Sequence, residues 1–250
     1  MIPSVLSEAW CDRLRTAIDR CRADPGPHYG VLSPSGAPRV DSDLFRWGDD
    51  PDIGELTHVS PLVELAASLL RSSSVVLIED QWFASVARAR TPSPWHHDEP
   101  YYRLDRPFLT IWITLDPVSA DGALRVVPGS HLTGELYSPV EFAAEGTTID
   151  AGADQLTPVP DVDADPDRFT VWSWDMEPGD AIALDSRALH ATGRTELDSE
   201  FRRLSTRWAH PDTRYRTRVT STATFWDTID HDLRNGDPIA GEVFPLVGVR

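Results

Sequence analysis

His96 and Asp98 stand two positions apart in TPSPWHHD (91–98), and a third candidate ligand, His190, lies far downstream in AIALDSRALHATG (181–193). In an extended strand, residues i and i+2 project from one face, so an imidazole and a carboxylate at this spacing can converge on one metal ion. A His-x-Asp pair alone is a weak signal. A second histidine at the end of another predicted strand strengthens it. Two histidines and one carboxylate on one face of a six-coordinate ion, with the other positions open, form the donor set of non-heme Fe(II) oxygenases. By the same parity His97 faces away from the metal. His131, in PGSH, follows a Pro-Gly turn and is expected to cap that loop rather than to bind metal.

The elements that must hold these three residues belong to a chain of 250 residues, which fits one domain with a full core. Its formal charge of −17, from 23 basic and 40 acidic residues, argues against nucleic acid or an anionic membrane as partner. A small-molecule substrate is expected instead. Cys11 and Cys21 fall ten residues apart in a predicted helix, about 15 Å at the helical rise, too far to bridge within it. With neither a signal-peptide pattern nor an apolar run near 18 residues, a cytoplasmic location is expected.

Leu6, Trp10, Leu14 and Ile18 recur at helical spacing and predict an amphipathic helix over 4–23, with Ser4 as N-cap. The Pro- and Gly-rich stretch 24–39 reads as a loop. SPLVELAASLLRS (60–72) predicts a second helix, and VVLI (75–78) leads into a strand through EDQWFASV. Further strands are expected at 107–116, 123–131, 180–186 and 202–209, all short, rich in β-branched or aromatic residues and bounded by Gly, Pro or Asp. Helices first and strands afterwards suggest a mainly β fold with flanking helices. The expected frame is a helical buttress at 1–72 and a jelly-roll core at 75–226, open at a mouth between its sheets. The acidic, aperiodic segment 132–170 is read as an inserted loop near the substrate mouth.

EDQWF (79–83), PWHHDEPYY (94–102), TIWITLDPVSADGALRVVPGSH (110–131), DMEPGDAIALDSRALHATG (175–193) and RRLSTRWAHPDTRY (202–215) together cover over a quarter of the chain. In this order they resemble the phytanoyl-CoA dioxygenase family of Fe(II)/2-oxoglutarate oxygenases, its bacterial members in particular. The resemblance implies a double-stranded β-helix (jelly roll, cupin-like). It also implies iron held by His96, Asp98 and His190, and oxidative decarboxylation of 2-oxoglutarate by O2 coupled to oxidation of the substrate. Gln81, Phe83, Thr110 and Trp112 match positions that line the co-substrate or substrate pocket of that family, and Tyr101 and Tyr102, just beyond Asp98, lie close enough to reach the substrate mouth.

The co-substrate's distal carboxylate calls for an arginine, whose planar fork gives two-point binding. In the resembling family one commonly stands eleven residues after the distal histidine, but position 201 here is Phe. Strand parity sets Phe201, Arg203, Ser205 and Arg207 on one face. Arg203 with Ser205 two along, as in the R-x-S pattern of related oxygenases, is therefore the first candidate, Arg202 the second through a one-residue shift, and Arg207 the third. Hydroxylation of a small molecule, with a secondary metabolite as a candidate, is the expected reaction, because related halogenases replace the carboxylate ligand with a small residue. A zinc-type hydrolase using the same three ligands and a non-catalytic cupin-like binding domain are the alternatives.

Overall fold

The computed structural model describes residues 1–89, 93–140, 156–193, 198–217 and 228–249. Three helices precede most of the strands. Helix α1 (Glu8–Ala23) starts at Ser7, whose side chain accepts the Trp10 N–H, and not at Ser4; Glu8 in its first turn and Arg20 and Arg22 in its last suit the helix dipole. Its buried stripe is Cys11, Leu14, Ala17, Ile18 and Cys21. The predicted second helix is α3 (Pro61–Leu70). Ahead of it lies α2 (Pro51–Val59), which the sequence reading missed; each begins with a capping Asp or Ser followed by Pro at the first turn.

The strands form a seven-stranded sheet in the order β1-β2-β3-β8-β4-β6, with β9 also paired to β3, and a two-stranded sheet, β5-β7. Their ranges are β1 Gly30–Val31, β2 Val40–Leu44, β3 Ser74–Ser85, β4 Leu109–Thr114, β5 Arg125–Val126, β6 Ala181–Asp185, β7 His190–Ala191, β8 Phe201–Ala209 and β9 Leu246–Gly248. All pairings are antiparallel. The stretch 24–39, read as a loop, contains β1. Of the strand expected at 123–131, only Arg125–Val126 pairs as a strand.

Alternation along the central strands decides which side chains face the helices. Trp82 and Ala84 of β3, Ile111 and Ile113 of β4, and Leu204 and Trp208 of β8 pack against Leu14, Ile18, Leu56 and Leu62. Residues of opposite parity face inward. There Trp112, Ile182, Leu184 and Phe201 of the large sheet meet Leu124 and Val126 around the small one. This is the expected mainly β, double-stranded β-helix architecture with helices on one side. The register of β3 shifts between Leu77 and Glu79, leaving Ile78 as an extra residue. That bulge moves Glu79 off the face occupied by Leu77 and onto the inner face with Gln81 and Phe83. No helix among the described residues is long and apolar enough to cross a membrane.

The turn before β6 is held against the N-terminal segment: Gly179 has φ +90°, its carbonyl accepts the Leu6 N–H at 3.1 Å, and a Cβ there would lie 2.2 Å from the Leu6 oxygen. Gly179→Ala is expected to lower stability by at least about 1 kcal/mol, from the left-handed backbone and the clash together. The urea midpoint measures this; an unchanged midpoint would refute it.

Candidate metal centre

His96 and His190 sit opposite each other in an isolated antiparallel bridge, each N–H donating to the other's carbonyl, at 3.0 and 2.9 Å. Asp98 follows at the start of a short 3-10 turn with helical backbone angles, φ −75° and ψ −30°. The expected strand through His96–Asp98 is therefore absent, and the two side chains converge across a bend instead. One ligand atom from each of His96, Asp98 and His190 lies within 4.8 Å of the other two, and all three residues are buried. Asp98 Oδ1 is 3.7 Å from both His96 Nε2 and His190 Nε2.

The outer nitrogens set the tautomers. His96 Nδ1 is 2.8 Å from the Pro94 carbonyl and His190 Nδ1 2.9 Å from that of Ala188. A carbonyl only accepts, so Nδ1 of each ring carries a proton and Nε2 faces the cluster. Burial, followed by His190, pushes His96 down to about 3 and keeps it neutral. Burial works to raise Asp98, but Arg207, His190 and His96 together with the Thr110 hydrogen bond hold it well below the usual carboxylate range. Two imidazoles with Nε2 towards the cluster and an ionised carboxylate form a donor set fit for a divalent cation. His97 points elsewhere: its Nε2 accepts the Tyr137 N–H at 3.0 Å.

The triad opens on a cavity of about 450 Å³. Cross-strand register lays its floor in rows across β3, β8 and β4, reading Phe83–Arg203–Thr114, Gln81–Ser205–Trp112 and Glu79–Arg207–Thr110. Gln81, Phe83, Tyr101, Thr110, Trp112, Arg203 and Ser205 all line this cavity, as expected from the sequence. Gln81 donates from Nε2 to Ser42 Oγ at 2.9 Å. The Thr110 hydroxyl donates to Asp98 Oδ2 at 2.8 Å. Tyr101 sets its ring edge-on to His96 and exchanges hydrogen bonds with both the carbonyl and the N–H of Val140.

The three arginines have different surroundings. Arg202 lies on the opposite face in a two-point pair with Asp116, at 3.0 and 3.2 Å. Arg207 is paired with Glu79 and reaches Asp98. Arg203 is 7% exposed and stacked on Phe83 and Phe201; its guanidinium has Ser85 Oγ, at 3.1 Å, as its hydrogen-bond partner among the described residues. Burial pulls it down to about 10, so it stays charged at neutral pH. A buried cation without a counter-ion is costly, and a carboxylate entering the cavity would relieve that cost.

Tyr102, expected beside Tyr101 at the substrate mouth, also lines the cavity, as does Glu79, to which the sequence reading assigned no role; nor did it single out Val31, Leu32 and Leu44 from the N-terminal segment. Counting back two residues from Gln81 puts Glu79 on the same face, since the bulge at Ile78 reverses the alternation only before it.

Alanine at His96, Asp98 or His190 is expected to abolish stoichiometric Fe(II) binding, whereas His97→Ala retains it. Metal content after anaerobic loading and desalting is the measurement. An iron-free His97→Ala beside an iron-replete His96→Ala would overturn the ligand set.

Among solved structures, the epimerase SnoN in complex with Fe3+, alpha ketoglutarate and nogalamycin RO superposes with a TM-score of 0.74 at 20% identity, covering 98% of this chain and 92% of that one. The carbocyclase SnoK from nogalamycin biosynthesis gives 0.73 at 21%, covering 98% and 90%. EctD from S. alaskensis, in its apoform, gives 0.67 at 15%, covering 93% and 81%. At these identities the likeness is one of fold. No curated protein matches the chain. A sequence profile for phytanoyl-CoA dioxygenase (PhyH) matches residues 1–204, most of the chain. The chain belongs to the phytanoyl-CoA dioxygenase family, whose members are iron- and 2-oxoglutarate-dependent non-heme oxygenases.

Proposed function

We propose that this oxygenase hydroxylates a small, largely apolar molecule, with Fe(II) held by His96, Asp98 and His190 and the distal carboxylate of 2-oxoglutarate held by Arg203. The observation that carries the reading is the buried guanidinium of Arg203, without a carboxylate partner among the described residues, lining the same cavity as the triad. A hydrolase using the three ligands alone would have no use for a cation there. When bound, the metal together with 2-oxoglutarate and O2 supplies the oxidant, with succinate and CO2 as co-products. The chain's own part is to orient the reactants and exclude water. Phe83 and Phe201 keep the Arg203 guanidinium flat and dry, and Ser205 and Gln81 offer polar groups on the floor between Arg203 and the triad.

Substrate class follows from the rest of the wall. Leu44, Trp112, Leu124 and Leu184 line the cavity, and Val31 and Leu32, 50% and 41% exposed, stand on its rim. These surfaces suit an apolar, uncharged molecule. The formal charge of −17 opposes the phosphates of a coenzyme A thioester. A carboxylate at position 98 favours hydroxylation over halogenation, and the structural relatives from nogalamycin biosynthesis support a secondary metabolite as substrate.

Anaerobic titration of the Fe(II) protein with 2-oxoglutarate, followed by the visible metal-to-ligand charge-transfer band, tests the reading; no band with an iron-replete protein would reject it. Arg203→Ala is expected to cost roughly 2–5 kcal/mol of co-substrate affinity, by analogy with buried charge pairs. That is about 30-fold to several-thousand-fold. Arg202→Ala should leave the affinity near its original value. A large loss for Arg202→Ala with none for Arg203→Ala would move the role to the other face of β8. Saturating phytanoyl-CoA should leave succinate formation at its uncoupled rate, and clear stimulation would restore an acyl-CoA as the substrate.

A further inference from the structure

The two oxygens of Asp98 have different neighbours. Oδ1 faces the imidazoles, 3.7 Å from each Nε2. Oδ2 is turned the other way and accepts from Thr110 Oγ1 at 2.8 Å and from Arg207 Nε at 3.3 Å. Arg207 is held in turn. Its Nη1 pairs with Glu79, Gln81 Oε1 lies 3.5 Å from the same nitrogen, and the Tyr102 ring lies 5.6 Å from its guanidinium carbon. Tyr102 donates its hydroxyl to the second Glu79 oxygen at 2.8 Å. Register places Glu79, Arg207 and Thr110 side by side on three neighbouring strands, one row beyond Gln81, Ser205 and Trp112.

We infer that Thr110 and Arg207, the latter anchored by Glu79, are positioning residues that reserve one oxygen of Asp98 for the metal and hold the other away from it. This rests on the metal-site reading above. A carboxylate can bind a cation through one oxygen or two, and an unrestrained Asp98 could rotate to give both. Engaging Oδ2 with a hydroxyl and a charged donor removes that choice. It leaves a metal position for exchangeable ligands that two-oxygen binding would fill. Balancing two buried carboxylates with one cation would need only a positive charge at 207. The directional Nε donor and the Thr110 hydroxyl on the same oxygen are what point to orientation.

Mn(II) serves as the probe, bound to the full chain without co-substrate, with its exchangeable waters counted from the EPR line broadening in 17O-enriched water. Arg207→Lys keeps the charge but loses the Nε donor; Thr110→Val removes the hydroxyl with little change in shape. The Thr110→Val/Arg207→Lys double variant is expected to carry one exchangeable water fewer per Mn(II) than the unsubstituted chain, with each single variant shifted in the same direction. An unchanged water count in the folded double variant would overturn the inference and leave Arg207 as a counter-charge. Should the lysine variants fail to fold, Thr110→Val decides alone, and an unchanged count there overturns it equally. If the unsubstituted chain binds no Mn(II) at all, the metal site itself fails, which distinguishes the two readings.

Discussion

Packing of α1–α3 against one face of the seven-stranded sheet constrains everything the other face carries. Once Leu204 and Trp208 of β8 and Ile111 and Ile113 of β4 are committed to the helices, Arg203, Ser205, Arg207, Thr110 and Trp112 must point into the cavity, because side chains alternate along a strand. A slip of one residue in β8 would send Arg203 and Arg207 into the helix interface and expose Leu204 and Trp208 to the cavity. The hydrophobic core thereby enforces the register on which the site depends.

The same floor separates its charges by pairing. Arg207 sits between two acids, Glu79 and Asp98, and those neighbours raise its affinity for a proton against the effect of burial. Glu79 is buried, and that burial pushes it up to about 7 against the pull of Arg207 and the Tyr102 hydroxyl. Four residues earlier on the same strand face, Arg203 is surrounded by aromatic rings. One arginine is thus committed to the protein's own carboxylates, while the other has no carboxylate partner among the described residues.

Much of this was legible from parity and spacing. Parity sets Gln81 with Phe83, Thr110 with Trp112 and Arg203 with Ser205 on shared faces because β3, β4 and β8 are regular there, and the family resemblance implies that those faces line the cavity, where they lie. Reading failed where the backbone departs from a regular period. Leu77 shares its parity with Glu79 yet packs against the helices, because the bulge at Ile78 reverses the alternation between them. His96 and Asp98 converge, but through a bridge and a bend rather than a strand, so the correct pair was found from an incorrect local geometry. The start of α1 was misplaced because Ser4 and Ser7 are equally good caps by type; the positive φ of Ser4, 51°, takes it out of the extended conformation an N-cap adopts. The pocket rim, Val31 and Leu32, lies in a stretch whose Pro and Gly content hid a short strand.

The segment from His96 to Tyr102 ties the site to its surroundings in several directions at once. His96 and Asp98 face the candidate metal position. His97 turns to the backbone of Tyr137, and Tyr101 clasps Val140, so both hold the described start of the 132–170 insertion. Glu99 pairs with Arg187, three residues before His190, and fixes the two ligand-bearing segments against each other. Tyr102 reaches back to Glu79 and, through it, to Arg207 and the outer oxygen of Asp98. The described stem of the 132–170 segment is thus joined by hydrogen bonds to the stretch that carries His96 and Asp98, and the same stretch is joined to β3 and β8.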